Sequence, residues 1–348
     1  MNELRPTPSQ PVFYGQIHFG AFRTPFETLN LIDADIYGHH WAPRWWRNLR
    51  LKEWQHVGII HDDVYCGFAI FDAKFMAVSF FYVFDRHTRK IIEHKRTTLQ
   101  RGAIQVPDQL WHGDGFFRQP GYRICMENRL RSGEHALTIS ITDPPAVCGT
   151  FTVFENLQRC QPLIAVLPVN DYRRPLYTHK AACPVEGELR IGDQSYILDP
   201  TRDWVLIDVQ KTFYPHNAFW KWVTFAGRDQ DSTPVAVNLT QNMIRDDTTW
   251  NECCAWVDGR LVRLGAARFD YDPGALLAPW TVTTSCGRIS LTFAPEGERA
   301  DQINVAGLIR SDFHQPFGTY SGVIVDDAQQ QHIVDGVFGV AEHHILRA

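Results

Sequence analysis

The feature that most constrains the fold is a long succession of short β-type runs. From Val57 to Thr98 the runs VGIIHDD, VYCGFAIFDA, KFMAVSFFYVFDR and KIIEHKRTT are rich in aromatic and β-branched residues, and turn-forming residues lie where they meet. Further runs follow to the C-terminus, and no apolar pattern of helical period and length separates them. The spacing predicts an all-β fold, an antiparallel sandwich or barrel. One short helix is expected near Trp45 to Trp54.

Length and a break in the pattern predict two domains. With 348 residues the chain exceeds what one small core needs. The segment LPVNDYRRPLYTHKAACPVEG carries three prolines, and β patterning restarts directly after it, at ELRIGDQSYILD. We therefore expect an N-terminal β domain over residues 1–178 and a C-terminal β domain over residues 179–348. The two are either packed barrels or a barrel and a sandwich.

Charge and motifs narrow the function. The formal net charge of −5 is spread without blocks, which argues against nucleic acid or an anionic membrane surface as a partner. No apolar run approaches the ~20 residues of a membrane span. The N-terminus lacks a secretory signal and the eight cysteines show no CxxC, so we expect reduced thiols in a cytoplasmic protein. Phosphate-loop, Rossmann and GxSxG motifs are missing, and no cofactor is expected. The oligomeric state stays open.

The stretch from Asp203 to Gly259 is the candidate binding site. It interleaves polar, titratable residues with tryptophans, among them Trp204, Trp220, Trp222 and Trp256, on short β-type runs. A pocket wall needs apolar area for affinity and a few polar atoms for orientation. Eleven tryptophans in the chain are more than packing alone usually requires. The stretch therefore indicates an aromatic-lined pocket.

Strand alternation selects a candidate acid within this stretch. If Trp250 to Asp258 is a strand, Glu252 lies between tryptophans on one face. Walls of low dielectric constant raise the pKa of a carboxyl group and suit it to general acid catalysis. A structural alternative stays open, in which Glu252 caps a turn or pairs with Arg260 or Arg263. Alternation also places Trp220 and Trp222 on one face.

A second cluster, Glu342, His343 and His344, lies near the C-terminus with His314 upstream. Neither HxH nor HExxH spacing appears, so a metal site is not favoured. We expect Glu342 or His343 to point inward from the closing strand of the second barrel, toward the same cavity.

These arguments define two sets of residues. The candidate catalytic residues are Asp208, Glu252, His216, Tyr214 and Glu342. The candidate ligand-binding residues are Trp204, Trp220, Trp222, Asn238, Asn251, Trp256 and His343. Glu252 or Asp208 is expected to give a proton to the substrate. His216 and Tyr214 are expected to orient or relay it, and the indole faces to stabilise developing positive charge.

The cluster of tryptophans from Trp41 to Trp54 is interpreted in two ways. Arginines lie between the rings, and a cation over an aromatic face could bind an acidic or carbonyl-bearing ligand. Alternatively, arginine stems cover the indoles in a surface seam. Whether the cluster belongs to the pocket or to a domain interface stays open.

The chain also resembles a known family. LRLKEW, DAKF with SFFYVFDR, THKAACPVEGEL, YPHNAFWKW, AVNLT with WNECCAWVDG, and QPFGTYSG with FGVAEHH are similar to sequences of the bacterial domain of unknown function 2804. The resemblance runs from about Tyr14 to His344. That family is similar, more remotely, to the double-lipocalin proteins, which include carotenoid hydratases, kievitone hydratase, tocopherol cyclase and fungal Diels–Alderases. The resemblance implies two lipocalin-like β barrels and a ligand held in or between them.

Three hypotheses for the function follow. The first is a cofactor-independent hydratase or cyclase, of lyase or isomerase type, acting on an apolar small molecule with a polar end. The second is a non-enzymatic carrier of a hydrophobic ligand, in which the same aromatic box supplies affinity alone. The third, less favoured, is a carbohydrate-active protein, because tryptophans also stack on sugar faces.

Overall fold

A computed structural model describes residues 3–38, 42–100, 102–305 and 309–347, and these residues are nearly all in β structure. The prediction of an all-β protein is confirmed. The α-helix found among them, α1, spans Arg44–Arg50, so it begins one residue before the predicted segment and ends four residues earlier. A 3₁₀ turn spans Leu31–Asp33. In the described part of the chain, no helix has the length and apolarity to cross a membrane.

The chain divides into two compact units. The first comprises Leu4–Val166 and Tyr172–Phe213, and the second consists mainly of Tyr214–Ala348 with Leu167–Asp171. The strands up to Thr212 are β1 Val12–Phe13, β2 Gln16–Ile17, β3 Gly20–Phe22, β4 Lys52–Ile60, β5 Val64–Asp72, β6 Ala77–Asp85, β7 Ile91–Thr98, β8 Ile104–Gln105, β9 Asp114–Gln119, β10 Tyr122–Arg129, β11 Glu134–Ile141, β12 Val147–Val153, β13 Leu163–Pro168, β14 Pro175–Ile191, β15 Gln194–Leu198 and β16 Trp204–Thr212. The strands after it are β17 Asn217–Arg228, β18 Pro234–Asn242, β19 Cys254–Val257, β20 Arg260–Arg263, β21 Ala267–Asp270, β22 Trp280–Thr284, β23 Ile289–Val305, β24 Ile309–Val325 and β25 Gln331–Arg347.

The main sheet of the first unit follows the order β7-β6-β5-β4-β16-β14-β12-β11-β10-β9-β8, with each neighbouring pair antiparallel. The sheet curls, because β5 comes close to β8 and β9 from the far end of this order. Alternate residues of these strands, such as Phe68, Phe117 and Ile139, point into one apolar core. Burial of these side chains is the main driving force for the curl.

The expected boundary between residues 178 and 179 falls inside β14. The first part of this strand pairs with β16 and its second part with β12, so β14 is central to the first sheet. Pro175 is the first residue of the strand, a position where a missing amide donor is tolerated. The observed units instead divide between Phe213 and Tyr214. Two of the three prolines that suggested a linker, Pro175 and Pro184, are therefore part of a long strand.

The second unit has one antiparallel sheet in the order β20-β19-β18-β17-β25-β24-β23-β22-β21. This sheet also curls, since β18 lies beside β21. The hairpin from β19 to β20 turns at Asp258 and Gly259, which both have positive φ, as the Asp-Gly sequence favours.

Aromatic rings fill the interior of the second sheet. The centroids of Phe225 and Tyr320 are 4.9 Å apart, those of Tyr320 and Phe293 are 4.6 Å apart, and those of Phe293 and Trp280 are 6.0 Å apart. Phe225, Tyr320, Phe293 and Trp280 are all fully buried. Where these four rings lie, the interior of the curled sheet is therefore a packed core.

Replacement of Phe293 by alanine is expected to destabilise the second unit by about 3–5 kcal/mol, because it leaves a cavity between Tyr320 and Trp280. The free energy of unfolding in urea measures the effect. Phe219→Ala is the matched control: this ring is 40% exposed, and its loss is expected to change stability by about 0.5 kcal/mol or less. Equal losses for the two variants contradict the assigned core.

Candidate functional site

The pairing of β17 with β25 positions the candidate site in the second unit. Trp220 lies opposite His344, and Trp222 lies opposite Glu342. Because side chains alternate along a strand, these four residues share one face of the sheet. Lys221 points to the other face, as the sequence predicted. The core residues Val223 and Ala341 also lie on that other face.

The carboxylate of Glu342 is the centre of this face. The indole Nε1–H of Trp220 donates to its Oε2 at 2.9 Å, and Nε2 of Gln315 on β24 donates to its Oε1 at 2.7 Å. Both donors are uncharged, so they fix the position of the carboxylate without bringing a positive charge to it. Glu342 is half-buried. Gln315 is fully buried, and its Oε1 has no hydrogen-bond partner among the described residues.

Aromatic rings surround this carboxylate. Tyr214 stacks on Trp220 with an interplanar angle of 18°, and the ring of His344 meets Trp220 edge-on with the centroids 4.1 Å apart. Burial lowers the pKa of His344 to about 3, and its Nε2 bonds to the hydroxyl of Ser311 at 2.8 Å. His344 is therefore a neutral ring at physiological pH. Tyr214, Trp220 and His344 thus form one aromatic group, and its central indole bonds to Glu342.

Trp222, Asn238 and Glu252 form a second hydrogen-bonded group. Trp222 Nε1 donates to Oδ1 of Asn238 at 2.7 Å, and Nδ2 of Asn238 donates to the main-chain oxygen of Glu252 at 2.6 Å. Asn242 Nδ2 donates to Oε1 of Glu252 at 3.0 Å. Glu252 is only 1% exposed. It precedes strand β19, so the predicted strand starting at Trp250 is shorter than expected.

Several predicted site residues lie elsewhere. Asp208 and Trp204 are on β16 in the first unit, where Asp208 forms an ion pair of 2.8 Å with Lys180. His216 is exposed and accepts a hydrogen bond from Arg347. Asn251 stabilises a loop, because its Oδ1 accepts from the amide of Cys253.

Trp256 is buried on β19, two residues from Cys254 and therefore on the same face as Cys254, as the alternation predicted. Of Glu342 and His343, one of which was expected to point inward, His343 shares the face of the core residue Ala341, and Glu342 lies on the opposite face of β25.

Sequence reasoning missed Gln315 and Arg299. Both are buried, they lie opposite each other on β24 and β23, and the guanidinium of Arg299 covers the ring of Phe313. The alternation of Gln315 with Phe313 on β24 was the available signal. Arg299 lies on β23, so only the pairing of the two strands brings it to them.

The tryptophan cluster near the N-terminus is placed only in part. Trp45 and Trp46 lie on α1 and are 65% and 44% exposed, and Trp46 donates to the hydroxyl of Tyr37. Trp54 lies on β4, with its ring near Phe71. Trp41 is outside the described residues.

The first unit contains a buried charged cluster that the sequence analysis did not identify. Glu155 is fully buried and accepts from Nε2 of His135 at 2.8 Å and from Nε2 of His179 at 2.7 Å. His135 is oriented by the amide of Arg129, which donates to its Nδ1. Burial alone raises the pKa of Glu155, but the two imidazoles outweigh this and lower it to about 2. Glu155 is therefore ionised at neutral pH.

Within the described residues, no group of three or more histidine, cysteine, aspartate or glutamate side chains is arranged to hold a metal ion.

The fold and the placement of these residues define a lipocalin-like protein built from two curled antiparallel sheets. Among solved structures, CghA with Sch210972 is similar, with a TM-score of 0.54, 11% identity, and coverage of 85% of this chain and 88% of that one. A putative AttH from Nitrosomonas europaea (TM-score 0.49, 11% identity, 85% and 92% coverage) and kievitone hydratase from Nectria haematococca (0.48, 10%, 85% and 88%) are also similar.

No curated protein matches the chain. The model of the family described as "Domain of unknown function (DUF2804)" matches residues 13–347, so the chain belongs to that family.

Glu155→Gln is expected to destabilise the first unit by about 3–5 kcal/mol at neutral pH, because one partner of a buried charged cluster is lost. The folded-state pKa of Glu155, about 2, lies below its usual 4.5, so the stabilisation is complete above about pH 4.5 and is lost as the pH falls toward 2. Urea unfolding across this pH range measures it. Glu186→Gln, an exposed carboxylate on β14, is the control. A difference between Glu155→Gln and wild type that stays constant with pH contradicts the assignment.

Proposed function

We propose that this protein is a cofactor-independent hydratase or cyclase, of lyase or isomerase type, that protonates an apolar small molecule bearing a polar end. The proposed acid is Glu342. The observation that carries the proposal is the position of its carboxylate, held by two neutral donors beside the rings of Trp220 and His344. A carboxyl group in such surroundings is suited to give a proton to an unsaturated carbon or a leaving hydroxyl.

Among the acids considered from the sequence, partner groups and exposure favour Glu342. Glu252 is 1% exposed and its side chain binds Asn242, so a substrate has little access to it. Asp208 is already paired with the ammonium of Lys180. Glu342 is half-buried, which combines access with surroundings of low dielectric constant. The other two carboxylates are assigned structural roles.

The neighbouring residues have separate tasks in this proposal. Trp220 and Gln315 position the carboxylate, and Tyr214, stacked on Trp220, keeps that indole in place. The indole of Trp220, which is half-buried, stabilises positive charge that develops on the substrate after protonation. Trp222 is buried and held by Asn238, so it supports this wall from behind. A hydratase releases or adds one water at such a site, whereas a cyclase closes a ring without a change of mass.

The fold supports the proposal in a general way. CghA, a protein with this fold, was solved with Sch210972, and the sequence resemblance extends to a group of double-lipocalin proteins that includes hydratases and cyclases. A cytoplasmic location is part of the proposal, because all eight cysteines are free thiols, which suits a reducing compartment.

The test is a comparison of wild type with Glu342→Gln in an extract of host small molecules prepared in ¹⁸O-labelled water. Mass spectrometry and chromatography reveal compounds that gain labelled water, lose unlabelled water, or change retention at constant mass. Wild type is expected to convert a compound that Glu342→Gln converts about 10²–10⁴-fold more slowly, the usual contribution of a general acid. The replacement keeps the shape of the side chain and the bond from Trp220.

Asp335→Asn is the matched control, because Asp335 is an exposed carboxylate on the same strand. It is expected to react at the wild-type rate. Equal rates for wild type and Glu342→Gln exclude Glu342 as the acid. If a compound copurifies in stoichiometric amount and stays unchanged on incubation, the protein is a carrier of hydrophobic ligands instead.

A further inference from the structure

A pocket of about 210 Å³ lies in the second unit, on residues that the proposed reaction does not use. Its polar side is formed by Glu298, Asp312, His314 and His343, and Pro273 and Leu276 contribute to an apolar side. His343 extends from the face of β25 opposite Glu342, so this pocket is separate from the proposed acid.

The carboxylates of the pocket are held by His314. Its Nδ1 bonds to Oε1 of Glu298, and its Nε2 lies 3.3 Å from Oδ1 of Asp312. Gln302 also donates to Asp312, at 2.9 Å. Each carboxylate has two oxygens with several acceptor positions, so these contacts leave acceptor capacity for a ligand. The carboxylate oxygens of Glu298 and Asp312 are therefore held in position before a ligand binds.

On the other side, His343 is oriented by Tyr271. The hydroxyl of Tyr271 bonds to Nδ1 of His343 at 2.6 Å, and burial raises the pKa of Tyr271 to about 12. Burial, followed by the nearby His314 and Lys221, lowers the pKa of His343. A protonated phenol therefore donates to a neutral imidazole, which leaves the second ring nitrogen, Nε2, as an N–H donor.

Two further contacts make this arrangement rigid. Tyr271 stacks on the buried Trp280 with centroids 3.9 Å apart and an interplanar angle of 10°. The ammonium of Lys221 lies over the ring of Tyr271, 5.2 Å from its centroid. Rigid placement of donors lowers the entropic cost of binding.

We propose that this pocket binds a small, neutral polyhydroxylated molecule of about the size of a pentose. Hydroxyl groups both donate and accept, so they can donate to Glu298 and Asp312 and accept from Nε2 of His343. The carboxylates of Glu298 and Asp312 repel an anion, and the ammonium of Lys221 near His343 repels a cation. A neutral ligand avoids both repulsions. A metal ion is not favoured, because the described residues form no metal-binding group of three.

The size of the pocket sets the size of the ligand. Pockets for drug-sized ligands have volumes of roughly 300–1,000 Å³. At about 210 Å³ the observed pocket is smaller than this range. A molecule with a short carbon chain or a single ring fits this space, and Pro273 and Leu276 contact its C–H groups.

The experiment titrates the full chain with three probes, D-xylose, acetate and ethylammonium, and follows the ¹³Cε1 and ¹Hε1 resonances of His314 and His343 by NMR. Saturable shifts of both histidines with xylose, and weaker ones with the charged probes, are expected. This measurement needs no substitution and is independent of the proposed acid reaction. Preferential binding of acetate or ethylammonium, or no saturable shift with xylose, overturns the proposal.

Two variants locate the site. Glu298→Gln and His343→Phe are each expected to weaken xylose binding about tenfold, because each removes a hydrogen bond to the ligand. Asp335→Asn, an exposed carboxylate on β25 outside the pocket, is expected to bind xylose like wild type. Thermal unfolding verifies that each variant is folded. Unchanged xylose affinity in a folded Glu298→Gln and His343→Phe places the bound xylose elsewhere and overturns the proposal.

Discussion

The side-chain alternation of strand β25 is the constraint on which the second unit depends. Ala341 contributes to the apolar core, whereas Glu342, one residue later, faces Trp220 and Trp222. His343 returns to the inner face and forms part of the small pocket. A shift of register by one residue would exchange these faces and bury the carboxylate in the core. One strand therefore carries the packing and both candidate sites.

The sequence predicted what depends on local period and missed what depends on distant pairing. Period-two patterns predicted the all-β fold and the shared face of Trp220 and Trp222. The bond between Trp220 and Glu342, however, joins residues 122 positions apart, and strand order determines that contact. The first sheet extends through β14 and β16, so the units divide after Phe213, which proline content did not indicate.

The candidate acids differ in ways that a sequence pattern cannot resolve. Glu252 and Asp208 lie near tryptophans in the sequence and Glu342 does not, so the local pattern gives Glu342 no preference over the other two. In the structure their partners differ: an asparagine amide, a lysine ammonium, and a pair of neutral donors. These partners come from other strands, so only the folded sheet distinguishes a structural carboxylate from a chemical one.

Glu155 and Glu342 illustrate that distinction most directly. Glu155 is fully buried, and two imidazoles outweigh its burial and keep it ionised, so it stabilises the first unit without access to a ligand. Glu342 is half-buried, and an indole and an amide hold it through neutral N–H groups. Neutral donors fix a geometry with a smaller preference for the charged form than a cation imposes. A proton donor needs this combination of fixed position and access, and this is the physical reason for proposing Glu342 as the acid.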